Sequence, residues 1–419
     1  MNKERLTEIL LDQKEVFSAK TGLIERDIPL EDAIKTSLVV IITGVRRCGK
    51  SSLLFLIKEK MQLDESGYCY FNFDDERIVN DVSLLEGLDN LHKEIYGEEP
   101  LLFFDEIQNI TGWEKFVNRL YEQGRKIFVT GSNASILSSE IATSLTGRNK
   151  VLELMPFSFN EYLRFKNIAA GVEHLSTKKR LQITAAFDAF IPEGGFPLAV
   201  RENDPEILTG YFQDILYRDI VARYRLSRVE EIKQIGIYFL SNIAKKFSYA
   251  TLQKVSSVKS LSSVKRYLDY YAGAYLFYYL NKFDFSLKKQ TLNPRKVFTV
   301  DQGFVHRIGF NFSANKGRVL ENIVFLELKR RKKEIYYYSG KGECDFVIKQ
   351  GLHITEAVQV TYLLNNENLE RETGGLFEAM KAYDLSNGLL LYYDKDIKEN
   401  KIPGEITIMP VWKWLIQNG

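Results

Sequence analysis

The stretch Gly44–Ser52, Gly-Val-Arg-Arg-Cys-Gly-Lys-Ser-Ser, constrains this chain more than any other feature. It follows a short apolar run at 38–42 and precedes an apolar helical pattern at 53–57, which predicts a strand, a loop and a helix in that order. Glycines let such a loop turn tightly and point its N–H groups at phosphate oxygens, and the helix adds its positive end. The stretch therefore predicts a phosphate-binding loop.

Two residues of the loop are expected to have distinct roles in nucleotide binding. Lys50 is expected to reach the β- and γ-phosphates of a nucleotide, and Ser51 to offer its hydroxyl to Mg²⁺. The residues expected to line the nucleotide are Gly44, Val45, Arg46, Arg47, Cys48, Gly49, Lys50, Ser51 and Ser52. A chance glycine loop between a strand and a helix is the alternative, but here both flanks match as well as the motif. ATP and Mg²⁺ are the expected cofactors.

A second apolar run, residues 100–104, leads straight into Asp105 and Glu106. A buried parallel strand reads as a continuous apolar run, and its carboxyl end faces the ligand crevice. Asp105 is therefore expected to hold Mg²⁺, directly or through water, and Glu106 to orient or deprotonate the attacking water. Two acids that only cap a strand end are the alternative.

Small polar residues, Ser132 and Asn133, follow a further predicted strand at 126–130. A polar side chain at that strand end can hydrogen-bond the γ-phosphate or the lytic water, and Asn133 is assigned to the catalytic set. Alternating strands and helices from 38 to 155 predict an open, mostly parallel α/β sheet.

Composition and length are those of an ordinary globular protein. The 419 residues are expected to form two or three domains, and 27% of them are charged. No run approaches the roughly 18 apolar residues of a membrane span, and the N-terminus is too charged for a secretory signal. We therefore expect a cytoplasmic protein without membrane contact. Its cysteines, Cys48, Cys69 and Cys344, are too few and too far apart for a disulfide framework or a zinc site.

The charge is unevenly distributed along the chain. Residues 225–300 contain 14 Lys and Arg against 4 Asp and Glu, whereas the whole chain carries only +2. Such a basic region on an acidic body favours contact with DNA or another polyanion. Within it, Lys259, Lys265 and Arg266 are the candidates for duplex contact, and a merely solvated face is the alternative. Residues 270–279 are expected to be a strand pair.

The set Gly44–Ser52, Asp105-Glu106 and Gly131-Ser-Asn133 resembles the motifs of AAA-type P-loop ATPases, in particular a prokaryotic group with a winged-helix region and a C-terminal restriction-endonuclease-like domain. In that superfamily the residue after the third strand's acid is the catalytic glutamate, and a polar residue ending the fourth strand senses the nucleotide. The resemblance implies these roles for Glu106 and for Ser132 or Asn133.

The same resemblance implies two further nucleotide contacts. Arg148 stands where these ATPases often have an arginine finger for a neighbouring subunit, since a guanidinium can neutralise charge on the transferring phosphoryl group. A surface arginine in a turn is the alternative. The element Gly195-Phe196-Pro197 resembles the Gly-x-Pro segment with which one branch contacts the nucleotide, but a helix-breaking turn has the same sequence signature.

From residue 296 onward the pattern resembles a restriction-endonuclease-like fold. In active members, acids on a helix and on two strands hold Mg²⁺, and a lysine two positions after the last acid polarises water. Here Glu321 and Asp345 match the first two acids, while Gln359-Val-Thr361 replaces the acid-x-lysine pair. Nuclease activity is therefore not expected, and Glu321 and Asp345 are left to bind a metal or to stabilise the fold.

Together these features predict an α/β protein with four parts. They are an AAA-type ATPase core at 1–155, a helical lid at 156–225, a winged-helix-like basic region at 226–290 and an inactive restriction-endonuclease-like α/β domain at 291–419. The expected function is Mg²⁺-dependent hydrolysis of ATP by a conformational switch. An unknown protein is the expected partner, and a finger role of Arg148 requires a second copy of the chain as its neighbour. The alternatives are an ATP-regulated protein that binds or processes DNA, and a nucleotide-binding scaffold without turnover.

Overall fold

The computed structural model describes residues 3–79, 81–97, 100–133, 144–171, 175–310, 316–396 and 402–417. These residues form two compact units. The first comprises residues 1–155 with 273–275, and the second comprises residues 156–272 with 276–419.

A five-stranded parallel sheet is the framework of the first unit. Its order is β2-β3-β4-β1-β5, with strands β1 (Val39–Thr43), β2 (Tyr68–Asn72), β3 (Leu101–Asp105), β4 (Ile127–Gly131) and β5 (Asn149–Glu153). The helices are α1 (Lys3–Ser18), α2 (Leu30–Lys35), α3 (Lys50–Lys60), α4 (Val82–Tyr96) and α5 (Trp113–Glu122), and a 3₁₀ turn spans Ile107–Asn109. This sheet confirms the predicted α/β class.

The register of this sheet brings the predicted site residues to one edge. Strands β1, β3 and β4 are buried along their whole length because helices cover both faces of the sheet. Thr43 pairs with Gly131 and Asn72 with Asp105, so these strands end at the same level. The carboxyl ends of parallel strands form the crevice where α/β proteins bind ligands.

The second unit begins with helices and a small antiparallel sheet. The helices are α6 (Phe159–Phe165), α7 (Thr177–Glu193), α8 (Pro197–Glu202), α9 (Glu206–Asp214), a π-helical segment Ile215–Ala222, α10 (Val229–Ser241), α11 (Tyr249–Ser256), α12 (Leu261–Gly273), α13 (Leu287–Leu292) and α14 (Gly303–Ile308). The sheet has the order β6-β8-β7, with β6 (Lys246–Phe247), β7 (Phe277–Leu280) and β8 (Arg295–Thr299).

The predicted strand pair at 270–279 is wrong in its first half. Helix α12 continues to Gly273, and only Phe277–Leu280 is a strand. Tyr267 and Tyr271 are one helical turn apart and both are buried, so the tyrosine-rich run follows a helical period up to this point. The hydroxyl of Tyr271 donates to the carbonyl of Ile232 on α10, which satisfies its buried polar end. The winged-helix assignment stays a prediction.

The chain ends in a mixed five-stranded sheet of order β13-β12-β11-β10-β9. Its strands are β9 (Glu334–Ser339), β10 (Glu343–Gln350), β11 (His353–Asn365), β12 (Gly388–Asp396) and β13 (Ile406–Pro410), accompanied by helices α15 (Lys316–Arg330), α16 (Leu369–Ala382) and α17 (Val411–Ile416). Neighbours are antiparallel from β9 to β11 and parallel from β11 to β13. Among the described residues, none of the helices combines the length and apolar character needed to cross a bilayer.

Candidate nucleotide-binding site

The loop between β1 and α3 has backbone conformations that select glycine. Gly44 has φ 146° and Gly49 has φ 105°. A Cβ on Gly44 would lie 2.0 Å from the carbonyl oxygen of Leu154, so the strand end and the loop approach each other closely there. The carbonyl of Gly49 accepts the first helical bond, from the N–H of Leu53 at 2.9 Å. The loop is thus shaped to turn and deliver the N-terminus of α3.

Lys50 is almost fully buried and points back into this loop. Its Nζ donates to the carbonyls of Gly44 and Val45, at 3.2 Å each. The same Nζ lies 3.5 Å from Oε1 of Glu106. The structure therefore brings together two residues that the sequence places 56 positions apart.

Glu106 follows β3 in a left-handed conformation, with φ 52°. Its N–H donates to the hydroxyl of Thr130 at 2.9 Å, and Nε2 of Gln108 donates to its carboxylate at 2.6 Å. Burial alone would raise the pKa of Glu106, but the positive charge of Lys50 and then the Gln108 hydrogen bond outweigh it and lower the pKa. This carboxylate is held ionised at the crevice.

Asp105 is fully buried beside Glu106, with both carboxylate oxygens engaged. The hydroxyl of Tyr70 donates to Oδ2 at 2.8 Å, and the hydroxyl of Thr130 donates to Oδ1. Thr130 thus contacts both acids, because it also accepts the Glu106 N–H. These bonds fix the orientation of the Asp105 carboxylate from two neighbouring strands.

Lys20 is a cation of this site that sequence reasoning missed. Its Nζ donates to the carbonyl of Ser51 at 3.1 Å and lies 4.9 Å from the ring centre of Phe17. Burial lowers the pKa of Lys20, and the charge of Asp105 opposes that shift. Lys20 lies two positions beyond α1 without any motif around it, so only the packing of α1 onto β2 reveals its place.

Arginines support the loop from outside. The buried Arg26 donates to the carbonyl of Cys48 at 3.1 Å and to that of Met155 at 2.7 Å, which ties the loop to the chain after β5. Arg46 lies 3.7 Å from a carboxylate oxygen of Asp74. Burial raises the pKa of the Cys48 thiol, so this cysteine is neutral and inert in the loop.

The remaining loop positions and the β4 terminus lie where the sequence predicts them. Ser132 and Asn133 are fully buried directly after β4. Ser51 and Ser52 occupy the first turn of α3, and Arg47 is exposed with φ 70°. These residues share the carboxyl edge of the sheet with Asp105.

Arg148 lies at the opposite edge of the same sheet. Its carbonyl accepts the N–H of Val39 at 3.0 Å, at the start of β1. The five residues of β1 span about 16 Å at roughly 3.3 Å each, so the loop at its far end is out of reach of this guanidinium. Nη1 donates to Asn118 at 2.6 Å and to Glu122 at 2.9 Å, on the outer side of α5. Arg148 does not contact the phosphate loop of its own chain.

Pro197 lies in the second unit, as the first residue of α8. The turn before it is anchored by Asp301, whose carboxylate accepts the N–H groups of Gly195 at 2.7 Å and Gly303 at 2.8 Å. Burial raises the pKa of Asp301 to about 6, and these two N–H groups oppose the shift. A Cβ on Gly195 would lie 2.4 Å from the carbonyl of Phe157, so this turn is closely packed.

Glu321 and Asp345, the two acids matched to the restriction-endonuclease-like pattern, lie around Lys296 of β8 together with a third acid, Glu343. Nζ of Lys296 lies 2.8 Å from Glu321, 2.8 Å from Glu343 and 3.0 Å from Asp345; we call these four residues the Lys296 cluster. Burial alone would lower the pKa of Lys296, but the three carboxylates outweigh it and raise the pKa. Burial and the neighbouring Asp345 raise the pKa of Glu321.

Gln359, at the position of the missing acid, is bound into the protein. Its Oε1 accepts the N–H of Asp345 at 3.2 Å, and its Nε2 donates to Glu372 at 3.0 Å. Within the described ranges, no group of three or more His, Cys, Asp or Glu side chains is arranged to hold a metal ion.

Two parts of the chain match models of known protein domains. Residues 36–163 match the model of an AAA domain, and residues 184–315 match that of a domain of unknown function (DUF8612). The uncharacterized protein MJ1544 of Methanocaldococcus jannaschii is 37% identical over 97% of this chain and 94% of its own length. The chain belongs to the family of that protein. An uncharacterized protein of Haemophilus influenzae is 30% identical over 94% of this chain and 99% of its own length.

A solved structure of DnaA from Aquifex aeolicus bound to AMPPCP is also similar. The two chains are 15% identical with a TM-score of 0.29, and the match covers 57% of this chain and 84% of that one. Values this low carry no argument about function. The AAA domain match, which spans the whole candidate site from Gly44 to Arg148, supports nucleotide binding by the family.

Proposed function

We propose that this protein binds ATP at Gly44–Ser52 and hydrolyses it to ADP and phosphate with Mg²⁺. The observation that carries the proposal is the meeting of Lys50 and Glu106 at 3.5 Å, beside Asp105, at the carboxyl edge of a parallel sheet. A phosphate-binding lysine, a carboxylate for Mg²⁺ and a carboxylate for water are the groups that phosphoryl transfer to water requires.

Lys50 is the residue expected to change partners when the nucleotide binds. Its ammonium is held by two backbone carbonyls and by Glu106, each at 3.2 to 3.5 Å. The β- and γ-phosphates carry more negative charge than these partners and would draw the ammonium toward them. Glu106 then loses its ion pair and is free to face the water.

Asp105 and Ser51 fit Mg²⁺, because a carboxylate and a hydroxyl are the hard oxygen ligands that this ion prefers. Tyr70 and Thr130 already occupy one lone pair on each Asp105 oxygen, which leaves the others for the ion or for a water bound to it. When bound, Mg²⁺ neutralises charge on the phosphates. The two hydroxyls keep the carboxylate in one orientation throughout.

Glu106 is the proposed base or water-orienting group. Its lowered pKa keeps it ionised at neutral pH, so it can accept a hydrogen bond or a proton from the attacking water. Asn133, with Ser132 beside it, is the proposed sensor of the γ-phosphate. Pro197 is the proposed contact from the lid.

ATP turnover is proposed to act as a conformational switch between the parts of the chain, with an unknown protein as its target. Arg148 is proposed to act on the nucleotide of a second copy, since it faces away from the loop of its own chain and its side chain is 43% exposed. A scaffold that holds ATP without turnover is the rival, and only a turnover assay separates the two.

The test is phosphate release from Mg·ATP by the purified full chain. Lys50→Ala is expected to abolish it by removing nucleotide binding, because the ammonium is the main phosphate contact. Lys58→Ala, on the same helix but paired with Glu59 and Glu65, is the matched control and is expected to retain activity. Equal activity of wild type and Lys50→Ala would refute the proposal.

A further inference from the structure

A pocket of about 310 Å³ opens between the segment before α10 and the first turns of α12. Four of the side chains that line it are cationic: Arg225, Arg228, Lys259 and Arg266. We call these four residues and the space between them the basic pocket. They come from stretches more than 30 residues apart in sequence, so the pocket exists only in the folded chain.

Most of the positive charge in the basic pocket is not neutralised within it. Its acid, Glu231, accepts from Arg228 at 2.9 Å and from the hydroxyl of Tyr267 at 3.2 Å. Arg266 donates to the hydroxyl of Ser263, at 3.3 Å.

The side chains of Arg225 and Lys259 form no ion pair with an acid among the residues that the structure describes. Both side chains are exposed at the rim, together with Arg228 and Arg266. Four cations against one acid that is already paired leave a site with excess positive charge.

The pocket also offers neutral donors and ring faces. Ser263 lies in the first turn of α12, and its N–H already donates to the hydroxyl of Ser260 at 3.1 Å, so its own hydroxyl is the donor that it offers the pocket. Tyr270 lines the pocket and stacks on Tyr224 at a centroid distance of 3.8 Å, which holds its ring rigidly. Guanidinium groups, ammonium groups and hydroxyls are donors that bind phosphate oxygens.

The arrangement differs from the cluster expected from the sequence alone. Lys265 does not line the pocket, and its Nζ lies 5.3 Å from the ring centre of Tyr249 on α11. Lys259 and Arg266 therefore face Arg225 and Arg228 rather than forming one surface with Lys265.

We propose that the basic pocket binds the phosphodiester backbone of a nucleic acid. A polyanion fits better than a small anion because the cations stand exposed around an open rim, within a region of 14 Lys and Arg against 4 Asp and Glu. Backbone contacts of this kind fix position on a strand and carry no base sequence. The inference does not depend on ATP turnover.

The experiment measures fluorescence anisotropy of a labelled DNA duplex, and of the corresponding single strand, against the full chain over a series of salt concentrations. The test variant is Arg225→Gln/Lys259→Gln, which keeps a polar side chain at both positions and removes two positive charges that have no ion pair among the described residues. The matched control is Lys265→Gln, which removes one charge from the same region outside the pocket. Circular dichroism checks that both variants stay folded, and both are expected to retain the phosphate release of wild type.

We expect the double variant to bind more weakly by about tenfold or more per lost contact, equally for different base sequences. The slope of log K against log salt should fall in magnitude by about two for the double variant, and by less than one for Lys265→Gln. A double variant that binds as wild type does, or a control that loses as much, would overturn the assignment. Absence of binding to both DNA forms would overturn it too, as would equal competition by inorganic phosphate at the same phosphate concentration.

Discussion

Replacing Lys296 with methionine tests whether this lysine neutralises the acids around it. Methionine keeps much of the length and apolar stem of the side chain and removes the ammonium. The Lys296 side chain is 3% exposed, and its ammonium lies within 3.0 Å of Glu321, Glu343 and Asp345. The variant therefore leaves three carboxylates without their shared counter-charge.

The cost follows from how deeply each acid is buried. Glu343 is 39% exposed and also meets Lys246 at 2.6 Å, so it keeps water and a second partner. Glu321 and Asp345 are only 10% and 11% exposed and lose their cation. Breaking a buried ion pair from one side costs about 3–5 kcal/mol, a large part of the 5–15 kcal/mol that stabilises a typical domain.

The assay is urea unfolding near pH 7, followed by circular dichroism and tryptophan fluorescence. We expect the free energy of unfolding to fall by about 3–5 kcal/mol in Lys296→Met. Lys254→Met, at an exposed position of α11, is the control and is expected to change it by less than about 0.5 kcal/mol. Adding Asp345→Asn to Lys296→Met removes one stranded charge and should restore part of the loss.

Two results would refute this reasoning. One is an equal unfolding midpoint for Lys296→Met and Lys254→Met, since the ammonium would then contribute nothing. The other is a double variant that is less stable than Lys296→Met, because Asp345 could not then be a stranded charge.

Other parts of the structure give three more expectations. Gly44→Ala places a Cβ 2.0 Å from the carbonyl oxygen of Leu154, at a residue with φ 146°. We therefore expect this variant to lower the free energy of unfolding by about 1–3 kcal/mol and to weaken ATP binding. Thermal unfolding and nucleotide titration measure these two effects. The pKa of Asp301 is raised to about 6, so the protonated form favours the folded state; the stability it contributes is full below about pH 4 and is lost as the pH rises through 6. Relative to the ordinary aspartate pKa of 3.8, the raised pKa corresponds to about 3 kcal/mol of pH-dependent stability. Asp301→Asn should remove that part of the pH dependence measured by urea unfolding. If Arg148 acts on the nucleotide of a second copy, Arg148→Ala should leave ATP binding unchanged and reduce phosphate release. Light scattering with ATP should then show an oligomer for wild type. A wild-type monomer under these conditions would contradict the proposed role of Arg148.

Much of the site follows from local sequence. The loop Gly44–Ser52 is predictable because strand, turn and helix are consecutive, and Asp105 with Glu106 because a buried strand ends directly before them. The parallel register then brings these stretches together without any further information.

The residues that could not be predicted are those that act across the fold. Lys20 contacts Ser51, which is 31 positions away, and Lys296 contacts Glu321, which is 25 positions away. No sequence motif marks either lysine. Arg225 and Lys259 are likewise distant in sequence and come together in the basic pocket only in the folded chain. The strand predicted at 270–273 is wrong because tyrosine favours strands, whereas burial of one face stabilises helix α12 there.

The most direct test of the central claim separates ATP binding from ATP turnover at Glu106. Glu106→Gln keeps the size of the side chain and removes the charge that the attacking water needs, while Lys50 and the loop stay intact. We predict that this variant binds Mg·ATP at least as tightly as wild type and releases no phosphate, with ATP recovered unchanged from the complex. If Glu106→Gln releases phosphate at the wild-type rate, or if wild type binds Mg·ATP and releases none, the proposed ATPase mechanism is wrong.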